Sequence, residues 1–326
     1  MTNKIALYPF KFSPILKKKV WGGNRLSTFL GIEQESNLGE SWELSGVRGN
    51  ISIVANGPLK GKSLNWLIEN YTARLMGDSV YSHFKTKFPL LFKFIDAHQD
   101  LSVQLHPGDL LARERHDSFG KTEMWYILET EEEARLILGF DRKMDETSYL
   151  KYLTENRLPE ILHSEKVAPG DSFFIAPGTV HAIGGGILLA EIQQTSDITY
   201  RIYDWDRPDL DGRLRELHTE KALEAIEYNP DNPRLGYIDK PNEPVPICTT
   251  EYFVTNKLSV TAPVTRNFTD IDSFAVYMCI DGNCTIRWEN GSENIKKGET
   301  VLIPNELSYI KFEGGKATFL EVYIPH

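Results

Sequence analysis

The sequence predicts a mainly β chain: two tandem β-barrels of one design, with a small helical insertion. Three observations carry that prediction. Gly and Pro are frequent, 24 and 17 of 326 residues, and they are scattered as many short turns require. Most stretches between them alternate apolar with polar or run apolar for a few residues, which are the two strand patterns. And "KVAPGDSFFIAPGTVHAI" (166–183) and "NIKKGETVLIPNELSYIKF" (294–312) repeat one plan. Each has a Gly-acid turn, an apolar strand ending in Ile, a Pro, and a further strand, as two related units would show.

The elements follow in order. "LYPFKFSPIL", "GESWELSG" and "NISIVANGPL" read as short strands. "SLNWLIENYTARLMG" places Leu64, Leu67, Ile68, Tyr71 and Leu75 at helical period, with Ser63 and Gly77 as caps. "FPLLFKFIDAH" and "LSVQLHP" are strands, and "TEMWYILET" with "ARLILGF" suits a hairpin across an acidic turn. Residues 141–164 return to helical spacing through Tyr149, Leu150, Leu153 and Leu158, and "HTEKALEAIEY" is a further charged helical stretch. A Pro/Asn-rich crossing, "NPDNPRLGYIDKPNEPVP", precedes a last third that is strand after strand. The first barrel is therefore expected to take residues 1–140 and 165–235, with helical segments at about 63–77 and 141–164. The second takes 236–326.

Composition narrows the function classes. A net charge of -10 with pI near 5.4, and no Lys/Arg stripe with interleaved aromatics, excludes a nucleic-acid partner. The one basic run, Lys17-Lys18-Lys19, reads as a solvated turn. Three cysteines without C-x-x-C spacing argue against a disulfide framework or thiolate metal site. The N-terminus lacks an uninterrupted apolar segment with a small-residue cleavage site, and no stretch has membrane-span length. A cytoplasmic location with no membrane partner is expected.

"VQLHPGD" places Gln104 and His106 on one face of a strand and Val103 and Leu105 on the other. Such a face meets either water or a polar cavity. With Glu123 and His181, these residues form a mixed N/O set suited to zinc or another divalent first-row metal. The amide is a weak donor that leaves room for a substrate oxygen. The repeat sharpens this: four residues past Pro177 stands His181, whereas four past Pro304 stands Ser308. Only the first copy carries a metal-binding group there. Lys93, within "PLLFKFI", is costly to bury unless paired or lining a polar cavity, and a cavity role is expected.

His, then Glu, then a Gly-x-x-x-x-x-x-Pro-Gly-x-x-His strand resembles the two-part cupin signature. More narrowly, "FPLLFKFIDAHQDLSVQLHPGD", "GKTEMWYIL" and "APGTVHAIGGGILLAEIQQTSDITYRIYDWDR" resemble the short bacterial form of type I mannose-6-phosphate isomerases. The likeness implies two cupin-type jelly-roll barrels, the second degenerate and without metal ligands. It implies a zinc-dependent aldose–ketose isomerase acting on mannose 6-phosphate and fructose 6-phosphate through a cis-enediol(ate), with one Zn2+ per chain. It places the zinc ligands on Gln104, His106, Glu123 and His181, and active-site groups on Lys93, Lys121, Glu191 and Arg201. Arg201 and Lys121 also make sensible phosphate partners in an acidic protein, the first as a bidentate fork and the second as a point charge. The general base stays open among Glu191, Lys121 and a metal-held water. Glu43 and Ser45 either line the sugar pocket or merely cover the barrel. The rival readings are a non-catalytic sugar-binding cupin and a metal-dependent cupin oxygenase. Gln104 in place of a histidine counts against the oxygenase.

Overall fold

The computed structural model describes residues 5–325; residues 1–4 and 326, the outer ends of the two expected barrels, lie outside it. Three antiparallel sheets organise the chain: one of seven strands, one of five and one of eight. The protein is mainly β, with two cupin-type barrels in tandem. No described helix is long and apolar enough to cross a membrane. The three cysteines are buried and unpaired.

The first barrel is a sandwich of the seven- and five-stranded sheets. Its interior joins Ile95, Trp125, Phe173 and Leu189 of the larger sheet to Leu136, Leu138 and Ile183 of the smaller. Strand Leu90–Ala97 is buried along its whole length because both faces are covered. Leu90, Phe92 and Phe94 point away from the barrel into a core shared with the C-terminal barrel's Phe274, Val276, Leu320 and Val322. Leu91, Lys93 and Ile95 point the other way, as the period of two demands.

Both copies of the repeat use a left-handed Gly before the strand, Gly170 at φ 93° and Gly298 at φ 85°, leading into Ser172–Ile175 and Thr300–Ile303. Only Gly takes that conformation without a Cβ clash. The expected helix forms as Leu64–Tyr71 and Ala73–Met76, and the Ser63 hydroxyl caps it by accepting from the Trp66 amide at 3.1 Å. A Cβ on Gly77 would lie 2.2 Å from the Asp272 carbonyl, so the chain passes against the second barrel there.

Several expectations are corrected. Strands Glu123–Thr130 and Arg135–Phe140 are not a hairpin: the first pairs in the seven-stranded sheet and the second in the five-stranded one. The acidic turn carries the chain from one layer to the other, because both strands have an apolar face to bury inside. Phe10–Lys11, expected in the first barrel, pairs with Leu302 and Val301 of the second. "NISIVANGPL" forms only isolated bridges. Helix in 141–164 is limited to Glu146–Thr154 and a short 3-10 turn; Leu162–Lys166 is a strand on Arg135–Phe140. The charged stretch after His218 is helical only over Thr219–Leu223. Helices Arg25–Leu30, Asp78–Phe84 and Asp109–His116 were not expected.

Candidate metal centre and substrate cavity

Strand register alone assembles most of the site. Across the larger sheet, Trp42 pairs with Lys93, Lys93 with Glu191, and Glu191 with Trp125. This row spans four neighbouring strands, and one step along, Gln193 pairs with Glu123. Across the smaller sheet, Arg201 pairs with Gln104 and Gln104 with His181. The two rows face each other inside the barrel.

His106, Glu123 and His181 converge so that one donor atom from each lies within 4.8 Å of the others. All three are 1% exposed. His106 Nδ1 meets the Ile198 carbonyl at 2.8 Å and His181 Nδ1 meets the Thr179 carbonyl at 2.9 Å. Each contact fixes the proton on Nδ1 and leaves the Nε2 lone pair facing the centre, the orientation a metal-binding imidazole needs. Burial, helped for His106 by the Lys121 ammonium, pushes both imidazoles below the usual histidine range and keeps them neutral. Glu123 is held low: burial opposes ionisation, but the Lys121 ammonium outweighs it. Neither Glu123 oxygen has a hydrogen-bond partner, although the Lys121 ammonium pairs with Oε1. Gln104 presents its amide 3.5 Å from His181 Nε2. Two neutral imidazoles and a carboxylate with one oxygen unpartnered, all buried, could hold a divalent cation.

A cavity of about 160 Å³ opens beside the cluster. His181, Gln104 and Lys121 are on its wall. Lys93 also lines it, donating to Glu191 Oε1 and Gln193 Oε1, both at 2.7 Å, which answers the cost of its burial. Burial lowers the Lys93 pKa, but Glu191 and Glu40 reverse that and raise it. Glu191 is fixed at both oxygens, the second accepting Trp125 Nε1 at 2.9 Å. Arg201 stands on the wall with its Nε buried and unbonded, while one terminal nitrogen donates to the Glu216 carbonyl at 2.8 Å. Lys121 lines the same cavity, with its Nζ 3.0 Å from His106 Nε2.

Glu43 and Ser45 do not line the cavity; Glu40 and Trp42 do. In Leu38–Leu44 the period of two turns Glu40 and Trp42 inward and sends Glu43 to the opposite face. There Glu43 accepts from the Ser41 hydroxyl, and burial pushes its carboxyl up to about 8, with Glu299 of the second barrel adding to the rise. Glu40 accepts from Trp42 Nε1 at 2.6 Å and pairs with Lys19 at 3.1 Å. Its burial is overcome by Lys19 and Lys93, which hold it down at about 2. Lys19 is therefore a cavity residue on strand Ile15–Gly23, not part of a solvated turn. Arg215 is a further wall residue that the sequence did not single out. The alternation in "LGESWEL" was the available signal for Glu40; nothing local marked Lys19 or Arg215.

A buried His–Glu–His cluster between the layers of a cupin barrel, beside a cavity lined by ammonium, guanidinium and carboxylate groups, marks a cupin whose first barrel could hold a metal ion. Comparison with known proteins narrows it. Residues 9–135 match the family model "Phosphomannose isomerase type I, catalytic domain" and residues 246–324 match "Mannose-6-phosphate isomerase, cupin domain". The chain is 36% identical over 314 residues to mannose-6-phosphate isomerase ManA of Bacillus subtilis, covering 94% of this chain and 96% of that protein. It is 33% identical over 314 residues to the mannose-6-phosphate isomerase of Streptococcus mutans, covering 95% and 96%. The crystal structure of the mannose 6-phosphate isomerase from Bacillus subtilis superposes with TM-score 0.87 at 30% identity, covering 97% of this chain and 99% of that one. The chain belongs to the type I mannose-6-phosphate isomerase family.

Proposed function

We propose that the protein interconverts mannose 6-phosphate and fructose 6-phosphate through a cis-enediol(ate), with one zinc ion held by Gln104, His106, Glu123 and His181. One observation carries the reading: three buried donor groups with matched protonation converge beside a cavity that holds separate cationic groups at its wall. When bound, the ion supplies a Lewis acid for the sugar's C1 and C2 oxygens. Gln104 joins the set by bringing its carbonyl end to the position its amide now takes beside His181.

The other residues divide the work by position. Arg201 receives the phosphate, with a buried N–H left unbonded by the protein. Lys121, next to the metal-binding groups, stabilises negative charge as the enediolate develops. Glu191 or Lys121 moves the proton between C2 and C1, a reading supported by their position on the cavity wall, and Lys93 with Trp125 holds the Glu191 carboxylate in one orientation. Elemental analysis together with a coupled assay on mannose 6-phosphate tests this. One zinc per chain and turnover are expected. Metal without turnover would make the protein a sugar-binding cupin, and iron in place of zinc would remove the proposed cofactor.

A further inference from the structure

Asp109 opens the helix Asp109–His116, three residues after His106, and its carboxylate gathers three distant parts of the chain. Oδ1 accepts the Gly120 amide at 2.7 Å and Gln194 Nε2 at 3.1 Å. Oδ2 accepts the Tyr252 hydroxyl at 2.8 Å. Gln194 Oε1 in turn accepts the Thr122 amide at 2.9 Å, and the Pro107 carbonyl accepts the Lys121 amide at 3.2 Å. Every amide from 120 to 122 is thus tied down, immediately before Glu123, and two of the three ties run through or beside Asp109. The packing is close: a Cβ on Gly120 would lie 2.6 Å from the Asp109 amide nitrogen.

Tyr252 comes from the other barrel, in the turn after strand Pro244–Thr249. That turn is itself fixed, since Thr250 Oγ1 accepts the amides of Tyr252 at 3.1 Å and Phe253 at 3.0 Å. Two of the three donors to Asp109 meet the same oxygen. The Tyr252 hydroxyl meets the other oxygen, so the carboxylate is held at both ends and loosens at Oδ2 if that hydroxyl is removed.

We propose that Tyr252 is a positioning residue through which the C-terminal barrel sets the Lys121–Glu123 segment, acting by way of Asp109. The inference rests on the reading of Lys121 and Glu123 given above. It gives the degenerate barrel a part in the reaction that requires no metal of its own.

The test is Y252F in the full-length, metal-loaded protein, because Phe keeps the ring and its packing. The expected result is a kcat on mannose 6-phosphate about ten-fold lower at unchanged KM, in keeping with small misplacement of a reacting group. Amide hydrogen exchange in residues 119–123 should accelerate about ten-fold as the local ties open more often. In a D109A background the same Tyr-to-Phe change should alter neither quantity, since the route is gone. Unchanged kcat, unchanged exchange at 119–123, or an equal loss in the D109A background would each overturn the proposal. If D109A does not fold, exchange in Y252F alone decides. Exchange is read without substrate, so a wild type inactive on mannose 6-phosphate would defeat the proposed function separately from this one.

Discussion

The two barrels treat a buried carboxylate in opposite ways. In the second, Glu321 is fully buried and completely satisfied. Arg266 grips both its oxygens at 2.8 and 2.9 Å, Tyr277 donates from the neighbouring strand, and Asn256 Nδ2 donates at 2.9 Å. Asn256, Glu321 and Tyr277 lie in one register row, so the barrel closes its own charge with its own side chains. In the first, Glu123 is as deeply buried, but only Oε1 is answered, by the Lys121 ammonium, while Oε2 has no hydrogen-bond partner among the described residues and stands 3.8 Å from His181 Nε2. Burying a charge without such compensation is expensive. A barrel whose guanidinium answers both oxygens leaves no donor for an external cation; one that leaves an oxygen unanswered beside two imidazoles could take one. The same fold keeps a candidate site in one copy and a filled core in the other, and the difference lies in how fully the carboxylate is answered.

Breaking the first barrel should have the largest effect. H181A removes one of two imidazole donors, so metal content should fall to background and isomerisation by roughly a thousand-fold, about 4 kcal/mol of transition-state stabilisation. Elemental analysis beside the coupled assay checks both, and retained metal with lost activity would count against ligation. Breaking the second should act on stability alone. R266A strands the Glu321 carboxylate and should cost about 3–5 kcal/mol in urea unfolding, with metal content per folded chain unchanged. A metal loss there would erase the contrast between the barrels.

R201A tests the cavity between these extremes. It should keep its metal and raise KM for mannose 6-phosphate by about ten- to a hundred-fold, the value of a charge-assisted contact of about 1.5–3 kcal/mol. Normal turnover would relocate the phosphate.

The smallest effect concerns the junction. Glu43, raised by burial to about 8, binds its proton more tightly folded than unfolded. Its contribution to stability is therefore complete below about pH 4.5 and is lost as pH rises toward 8. One proton bounds the slope at about 1.4 kcal/mol per pH unit. E43Q should gain stability relative to wild type as pH rises from about 5 toward 8, by no more than that bound per unit. A pH-independent difference in melting profiles would show that Glu43 does not titrate on folding.

The chain itself fixed a good deal. The repeated Gly-turn, strand and Pro plan marked two like barrels, and His181 in one copy against Ser308 in the other marked which of them could hold a metal. Gln104, His106, Glu123 and His181 could be picked out because a polar group stranded in an apolar strand needs a reason to be there, and that reason is written locally as a broken pattern. Lys93 could be picked out for the same cause. What the sequence did not disclose is which strand lies beside which. Glu123–Thr130 and Arg135–Phe140 read as a hairpin yet part into different sheets, and Phe10–Lys11 crosses to the far barrel. Alternation records that a residue has an inside, not whose inside it is. The side of the sheet on which Glu40 and Glu43 fall, the placing of Lys19 and Arg215 on the cavity wall, and the reach of Tyr252 to Asp109 all depend on register between segments distant in the chain. That register is settled by burying several faces at once, so only the assembled structure could decide it.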